Sequence, residues 1–374
     1  MDFSFRESLD LLGRNASFRI INEARPSSDY LLETLLPEMQ KPDYHIDSGY
    51  MMVRSTMAGL VAMSSPYPPS GTIETSTFLE KSAKIASEVG MEEETLRQMQ
   101  RILSQRGITG ANRTRYIAEE ALNFMNKVVV QGHMDTAEWL RSQALFAGKI
   151  DWTYNKKNLL VDYAVPAAYV GTNRTGNDAY DGSTSKFWTD HYAALKALYY
   201  NVRAVICHTD TLLKIINNDA NKFELVSQVG NVFTVRRYRT RGNIDVLSGD
   251  NRDTVQIIAY DLEGEVLDPA DTSKTKRVQF APSGKLLYVA NNKRSGYRVG
   301  EGSTPDPVRD MALGYTHIAP TVEGGGAMGR WGDMYTPEAA PWALRARAVT
   351  NLLPVREDIN ATQAKTYLCQ TDLS

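Results

Sequence analysis

Residues 114–147, TRYIAEEALNFMNKVVVQGHMDTAEWLRSQALFA, read as one long helix, and KIDWTYNKKNLLVDYAVP comes directly after Gly148. At about 1.5 Å per residue such a helix is about 51 Å long, whereas ordinary helices run about 10–14 residues. Ile117, Ala121, Phe124 and Val128 recur at spacings of three and four, which sets one apolar face. Thr114 is the predicted cap. Gly132 is a weak point, costing about 1 kcal/mol relative to alanine, and Gly148 is the predicted left-handed stop. Beyond it Ile150, Trp152 and Tyr154 alternate, NKKN turns the chain and Leu160 to Val165 returns, the pattern of a hairpin. A strut of this length in a chain otherwise rich in short strands points to an architectural subunit.

The chain has 374 residues, enough for two or three domains, and 42% hydrophobic residues, enough for a substantial core. Its net charge of −2 excludes a global basic footprint for nucleic acid. Two cysteines, Cys207 and Cys369, make no disulfide framework and fit a reducing compartment. The first twenty residues scatter Asp2, Arg6, Glu7, Asp10 and Arg14 where a signal peptide needs an apolar run. No stretch approaches the roughly 18 apolar residues of a membrane span.

Residues 1–45 read as an arm. Within it DYLLETLLPE forms a short helix ended by Pro37, with Ser27 or Ser28 as cap and Tyr30, Leu31, Leu32, Leu35 and Leu36 as a stripe wide enough to dock. Its seat is either the body of the chain or a neighbouring subunit. Residues 46–90 read as a long β-loop: two apolar runs flank SSPYPPSG, whose prolines remove backbone donors and forbid helix. Met51, Met52, Val53, Met57, Leu60, Val61 and Met63 give that loop an apolar surface that needs a partner. MEEETLRQMQRILSQR, 91–106, is a helix. SKFWTDHYAALKALYYN and DTLLKIINND are helices around a buried strand, VRAVICH, and short strands come after them: KFELVSQ, NVFTVRRYR, TVQIIAYD, KLLYVAN, THIAP and ALRARAVTNLLPV. LEGE, APSG and SGDNRD read as turns between them.

Candidate chemical motifs dissolve on inspection. GGGAMG, 324–329, matches the dinucleotide-binding glycine pattern, but RWGDMYTPE comes next and no helix opens in register to receive a pyrophosphate. The histidines, His45, His133, His191, His208 and His317, share no metal-ligand spacing. Neighbouring Cys207 and His208 point to opposite faces of a strand, so no nucleophile–base pair forms. The expectation is therefore no catalytic residue, cofactor or metal. RRYRTR is the one basic cluster: on a strand Arg237, Arg239 and Arg241 share a face. That face meets carboxylates of another subunit, or stays solvated, or meets phosphate.

The order of these parts resembles the lambda-like phage major capsid proteins (major capsid protein E family). DYLLETLLPE with GYMMVRSTMAGLVAMSSPYPPSG looks like the family's short arm helix leading into its extended loop. EWLRSQALFAGKIDW looks like the end of its long helix. APSGKLLYVANN, GYTHIAP and PWALRARAVTNLLPVREDINATQAKTYL look like its closing portion, while residues 241–280 have no counterpart. The resemblance implies an α+β Hong Kong 97-type capsid fold with an N-terminal arm (1–45), an extended β-loop (46–90), a peripheral domain with the spine helix (91–170), an axial domain (171–340) and a C-terminal strand segment returning to the peripheral domain (341–374). It implies no enzyme but a shell protein of a tailed double-stranded DNA phage, self-assembling into hexamers and pentamers. The partners so implied are scaffolding, decoration and portal proteins, with packaged DNA held without sequence-specific contacts and no membrane. The location is the virion, after assembly in the host cytoplasm. Gly132 becomes a hinge in the spine helix. An encapsulin-type compartment shell keeps the same fold with a protein cargo, and a β-rich soluble enzyme is the alternative from another class.

Overall fold

The computed structural model describes residues 29–54, 72–92, 130–154, 157–241, 244–247, 253–267, 275–290, 312–326, 328–335, 343–359 and 364–373, with scattered positions between 93 and 129. Met57, Leu60, Val61, Met63, Thr114, Ser27 and Ser28 lie outside them, as do Ile117, Ala121, Phe124 and Val128. Arg115, Tyr116, Glu119 and Glu120 are helical, but the helix expected over 91–106 does not open where the sequence places it: Met91 and Glu92 are strand residues, paired with Leu344 and Ala343, and Arg106 lies in a turn.

The chain enters through a short helix, α1 (Leu31–Leu35), and a three-residue strand, β1 (Glu38–Gln40). β2 (His45–Arg54) and β3 (Thr72–Lys81) then pair antiparallel through ten residue pairs, from His45 with Lys81 to Arg54 with Thr72. At about 3.3 Å per residue this hairpin is about 33 Å long. It forms a two-stranded sheet of its own. β4 (Ala83–Glu92), next in the chain, pairs with a strand of the body. The long helix is described as α2 (Gln131–Ser142), continued by a π-wound turn (Gln143–Ala147). Gly148 stops it at φ 68°. β5 (Lys149–Tyr154) and β6 (Lys157–Asp162) come next as the expected hairpin.

Beyond them lie β7 (Val170–Arg174), α3 (Phe187–Ala197), β8 (Val202–Cys207), α4 (Thr209–Asn217), β9 (Phe223–Val229), β10 (Val232–Arg241), β11 (Ile244–Leu247) and β12 (Thr254–Ala259). β13 (Glu263–Leu267) and β14 (Thr275–Gln279) form a hairpin, so LEGE, expected as a turn, runs into a strand. β15 (Lys285–Ala290), β16 (Gly314–Ala319), β17 (Trp331–Tyr335), β18 (Ala343–Arg356) and β19 (Thr366–Thr371) complete the chain.

Two sheets organise the body. In the five-stranded sheet β18 is the spine: residues 343–352 pair with β4, 345–349 with β17 and 351–356 with β16, and β1 adds in parallel beside β16. Alternation along β18 explains its two faces. Ala346, Ala348, Thr350 and Leu352 are buried on the α2 side. Arg345 and Arg347 point the other way, where Arg347 lies over the rings of Trp331 and Tyr335 at 5.2 and 4.7 Å. The eight-stranded sheet runs β11-β10-β12-β8-β15-β19-β7 with β9 beside β10. Its central strand β8 is apolar and buried over Ala204–Cys207, as a strand covered on both faces must be. One apolar core spans both sheets, joining Leu140, Val205, Ile257, Tyr288, Leu352 and Val355.

The strands divide differently from the expected boundaries. β16 and β17, expected in the 171–340 unit, pair with β18 in the five-stranded sheet. The tail does not stay together: β18 lies in that sheet, while β19 inserts between β15 and β7 in the other. The reason is burial, since Tyr367, Leu368 and Cys369 are apolar in succession and need cover on both faces.

Candidate assembly surfaces and the junction that holds them

The extended hairpin is rooted firmly. Ile46 is buried at its base, and the backbone N–H and hydroxyl of Ser82 both donate to the Tyr44 carbonyl, at 3.2 and 3.1 Å. His317 Nε2 donates to the Asp43 carbonyl at 2.8 Å, and burial holds this imidazole below its ordinary pKa. Above that root, Met51, Met52 and Val53 lie in β2, paired in register with Thr75, Glu74 and Ile73.

Between the arm and the root lies a strap, residues 30–46, tied to α2 by buried charge. Leu32, Leu35 and Leu36 are fully buried, each contributing roughly 2 kcal/mol of apolar transfer. The arm helix thus docks on its own chain. Tyr30, at its N-cap, makes no side-chain cap bond. Instead the Leu32 N–H donates to Glu138 Oε1 at 2.8 Å, a carboxylate in the middle of α2. Tyr260 donates to the same oxygen at 2.6 Å, and Arg141 Nη1 donates to Oε2 at 3.0 Å. Arg141 reaches further, from Nε to Thr316 Oγ1 at 2.9 Å and from Nη2 to Glu38 Oε1 at 3.2 Å. Arg330 also binds Glu38, and Thr316 donates to the Leu36 carbonyl at 2.8 Å. Glu138 and Arg141 are 0% and 1% exposed, so nearly the whole solvation of both charges has been replaced by these partners.

The electrostatics arise from this packing. Burial alone raises the Glu38 carboxyl, but Arg330 and Arg141 outweigh it and leave it below the ordinary range. Glu33, half-buried on α1, is pushed up to about 7 by burial, with Arg141 opposing. Tyr30 donates to Asp135 and accepts from Gln131, and burial followed by Asp135 raises its phenol. On the neighbouring face of α2, His133 bridges Ser87 of β4 at 2.9 Å and Thr350 of β18 at 3.0 Å. Burial, then the charge of Arg330, lowers its pKa to about 4.

At the far end of α2 the π-turn leaves carbonyls without helical partners, and cations supply them. Arg356 Nη1 donates to the Ala144 carbonyl at 3.0 Å and Lys285 Nζ to that of Phe146 at 2.9 Å. Arg356 is itself held by Asp358 through a two-pronged pair at 2.9 and 2.7 Å.

The basic strand is described in part. Arg237 lies over the Trp188 ring at 5.3 Å and donates to Tyr192 Oη at 3.1 Å, within its own chain. Arg239 and Arg241 pair in register with Val246 and Ile244 of β11, and their side chains lie outside the described residues. Gly132 is exposed near the start of α2, and a Cβ there would meet nothing within 4 Å. The glycine-rich loop turns through Gly325 and Gly326 at φ 65° and 86° into β17, with no helix behind it. Among the described residues no group of three His, Cys, Asp or Glu side chains is placed to hold a metal. None of their helices is long and apolar enough to cross a membrane.

Sequence reasoning passes over Glu138 and Arg141. The signal is present: Met134, Glu138, Arg141 and Leu145 fall at spacings of four, three and four, so a charge pair occupies the apolar stripe.

No protein-family model matches the chain, and no curated protein matches it. Solved structures do. A prophage protein assigned to the capsid, from Escherichia coli CFT073, aligns at 8% identity and a TM-score of 0.52, covering 94% of this chain and 95% of its own. A phage-related protein of Bordetella bronchiseptica aligns at 10% identity and a TM-score of 0.46, over 94% of both chains. The encapsulin of a holo complex from Synechococcus elongatus aligns at 11% identity and a TM-score of 0.36, over 92% of this chain and 87% of its own. The first of these carries the comparison, and with the strap, spine helix and two-sheet body it gives this chain the mixed α+β fold of a Hong Kong 97-type capsid subunit.

Proposed function

We propose that this chain is the major head protein of a tailed double-stranded DNA phage and acts by self-assembly. The observation that carries the reading is the extended hairpin: ten residue pairs long, bearing Met51, Met52 and Val53, and paired with no other strand among the described residues. Apolar residues on such a projection need cover, and a second copy supplies it in a closed shell. In this reading α2 and the five-stranded sheet form the peripheral domain, and the eight-stranded sheet forms the axial domain. Met51, Met52, Val53, Met57, Leu60, Val61 and Met63 make contacts between subunits, with Arg239 and Arg241. Gly132 is the hinge. The chain performs no catalysis. It resides in the virion after assembly in the host cytoplasm, with scaffolding, decoration and portal proteins as partners and DNA held inside without base contacts.

Negative-stain electron microscopy of the purified protein with its light-scattering mass tests this. Closed shells, rings or hexagonal sheets are expected, and Met51→Asp with Val53→Asp should yield subunits that melt normally but do not assemble. A monodisperse monomer at high concentration, with a candidate scaffold present, overturns the reading. Shells from host cells that enclose a protein cargo and no DNA select the encapsulin-type compartment instead.

A further inference from the structure

The long helix ends irregularly. α2 keeps α winding to Ser142, then Gln143–Ala147 wind with i→i+5 bonds before Gly148 turns the chain into the β5–β6 hairpin. A π-turn holds one residue more than the α-turn it replaces. Three further features gather there. The Ala144 and Phe146 carbonyls are bonded by side chains, Arg356 and Lys285, from two different strands. Ser142 Oγ and Trp139 Nε1, immediately before the turn, are buried without a hydrogen-bond partner. And Trp139 packs edge-on against Trp152 of β5, with ring centroids 5.2 Å apart, so the helix end and the hairpin touch directly.

We propose that this π-turn is a conformational switch: a one-residue reserve whose exchange between π and α winding re-aims the β5–β6 hairpin against the long helix. Moving one residue through an α-helix advances the downstream chain by about 1.5 Å and turns it by about 100°. In the α-wound state the Gly148 N–H bonds the Ala144 carbonyl, so Arg356 is released there. It loses little, because Asp358 and Thr366 still hold it. Lys285 is the weaker tie: among the described residues its ammonium has no ion-pair partner, and the Phe146 carbonyl is the one acceptor it reaches. Burial lowers its pKa, so the ammonium gains little by staying. The inference concerns winding alone and stands whatever the chain assembles into.

Hydrogen exchange on the full chain decides it. The expected result is that amides of residues 144–148 exchange at least tenfold faster than those of 133–140, through a local opening insensitive to low denaturant. Exchange of both groups together, through one opening, overturns the proposal. A second arm deletes Gln143, which makes the winding continuous. In the wild-type background Lys285→Met should lower the urea midpoint, and in the deletion background it should not. A folded deletion variant that still responds to Lys285→Met overturns the proposal as well. So does a deletion variant that cannot fold, because the α-wound state would then be inaccessible.

Discussion

Cys207 and Cys369 sit on opposite sides of Leu286, each paired with it in register, one from β8 and one from β19. Two strand spacings of about 4.8 Å separate them, beyond the roughly 7 Å limit on Cα separation for a disulfide. Both are fully buried, and burial raises the Cys207 thiol to about 12 and drives Cys369 higher still. Both thiols should therefore resist iodoacetamide in the folded chain and react only on unfolding. Mass spectrometry after mild oxidation should find no internal disulfide. Rapid labelling of either thiol under native conditions would contradict the packing.

The Glu138–Arg141 pair makes a second prediction. Glu138→Ala removes the acceptor for Leu32 N–H, Tyr260 and Arg141 at once and leaves the buried guanidinium with one carboxylate, Glu38, which Arg330 shares, so it should cost about 3 kcal/mol. Glu138→Gln keeps an acceptor and should cost less. Urea midpoints give the size, and chymotrypsin cleavage after Tyr30, buried while the strap is seated, reports whether the strap has come loose. A Glu138→Ala midpoint shifted by under about 0.5 kcal/mol, the range of inert surface changes, would show that the carboxylate does not hold it.

Acid should weaken the body through His133. Its folded pKa, about 4, lies below the ordinary value of 6.5. Between those values the unfolded chain binds the proton and the folded chain does not. Stability is therefore full above about pH 6.5 and falls as the pH drops through about 4, by about 3 kcal/mol in all. His133→Gln, able to bond both Ser87 and Thr350, should flatten that slope in a series of melts from pH 7 to pH 4.

Much of the fold is legible from local pattern. Period-two alternation and NKKN specify the β5–β6 hairpin, Gly148 its left-handed stop, and the apolar run around Val205 a strand covered on both faces. What local pattern does not carry is the partner. The acceptor for the Leu32 N–H of α1 is Glu138, more than a hundred residues away in sequence, a partner that local pattern does not name. Strand alternation puts Arg237 on one face with Arg239 and Arg241, yet it turns onto Trp188, a contact set by the packing of α3 against the sheet. Pairing of β4 with β18 likewise depends on strands far apart in the chain.

Two glycines of the long helix should respond in opposite ways. At Gly148 a side chain faces both a positive φ and the Val165 side chain, whose Cγ2 would lie 2.8 Å from a new Cβ. Gly148→Ala should therefore cost at least about 1–2 kcal/mol. Gly132 has open space around it, so Gly132→Ala should raise stability by up to about 1 kcal/mol. Differential scanning calorimetry separates the two. If Gly132 is the hinge, the stabilised variant should assemble but fail to mature normally, and a shell that matures as usual would sink that role.

The place of β19 has a consequence in time. It lies between β15 and β7, with Leu368 paired to Leu287 on one side and to Val170 on the other. On the ribosome β7 emerges long before its neighbour exists, and the eight-stranded sheet stays open beyond β15 until residues 366–371 are made. Such distant pairing slows folding and leaves edges exposed meanwhile. A nascent chain therefore cannot present a finished sheet until its last strand has been made.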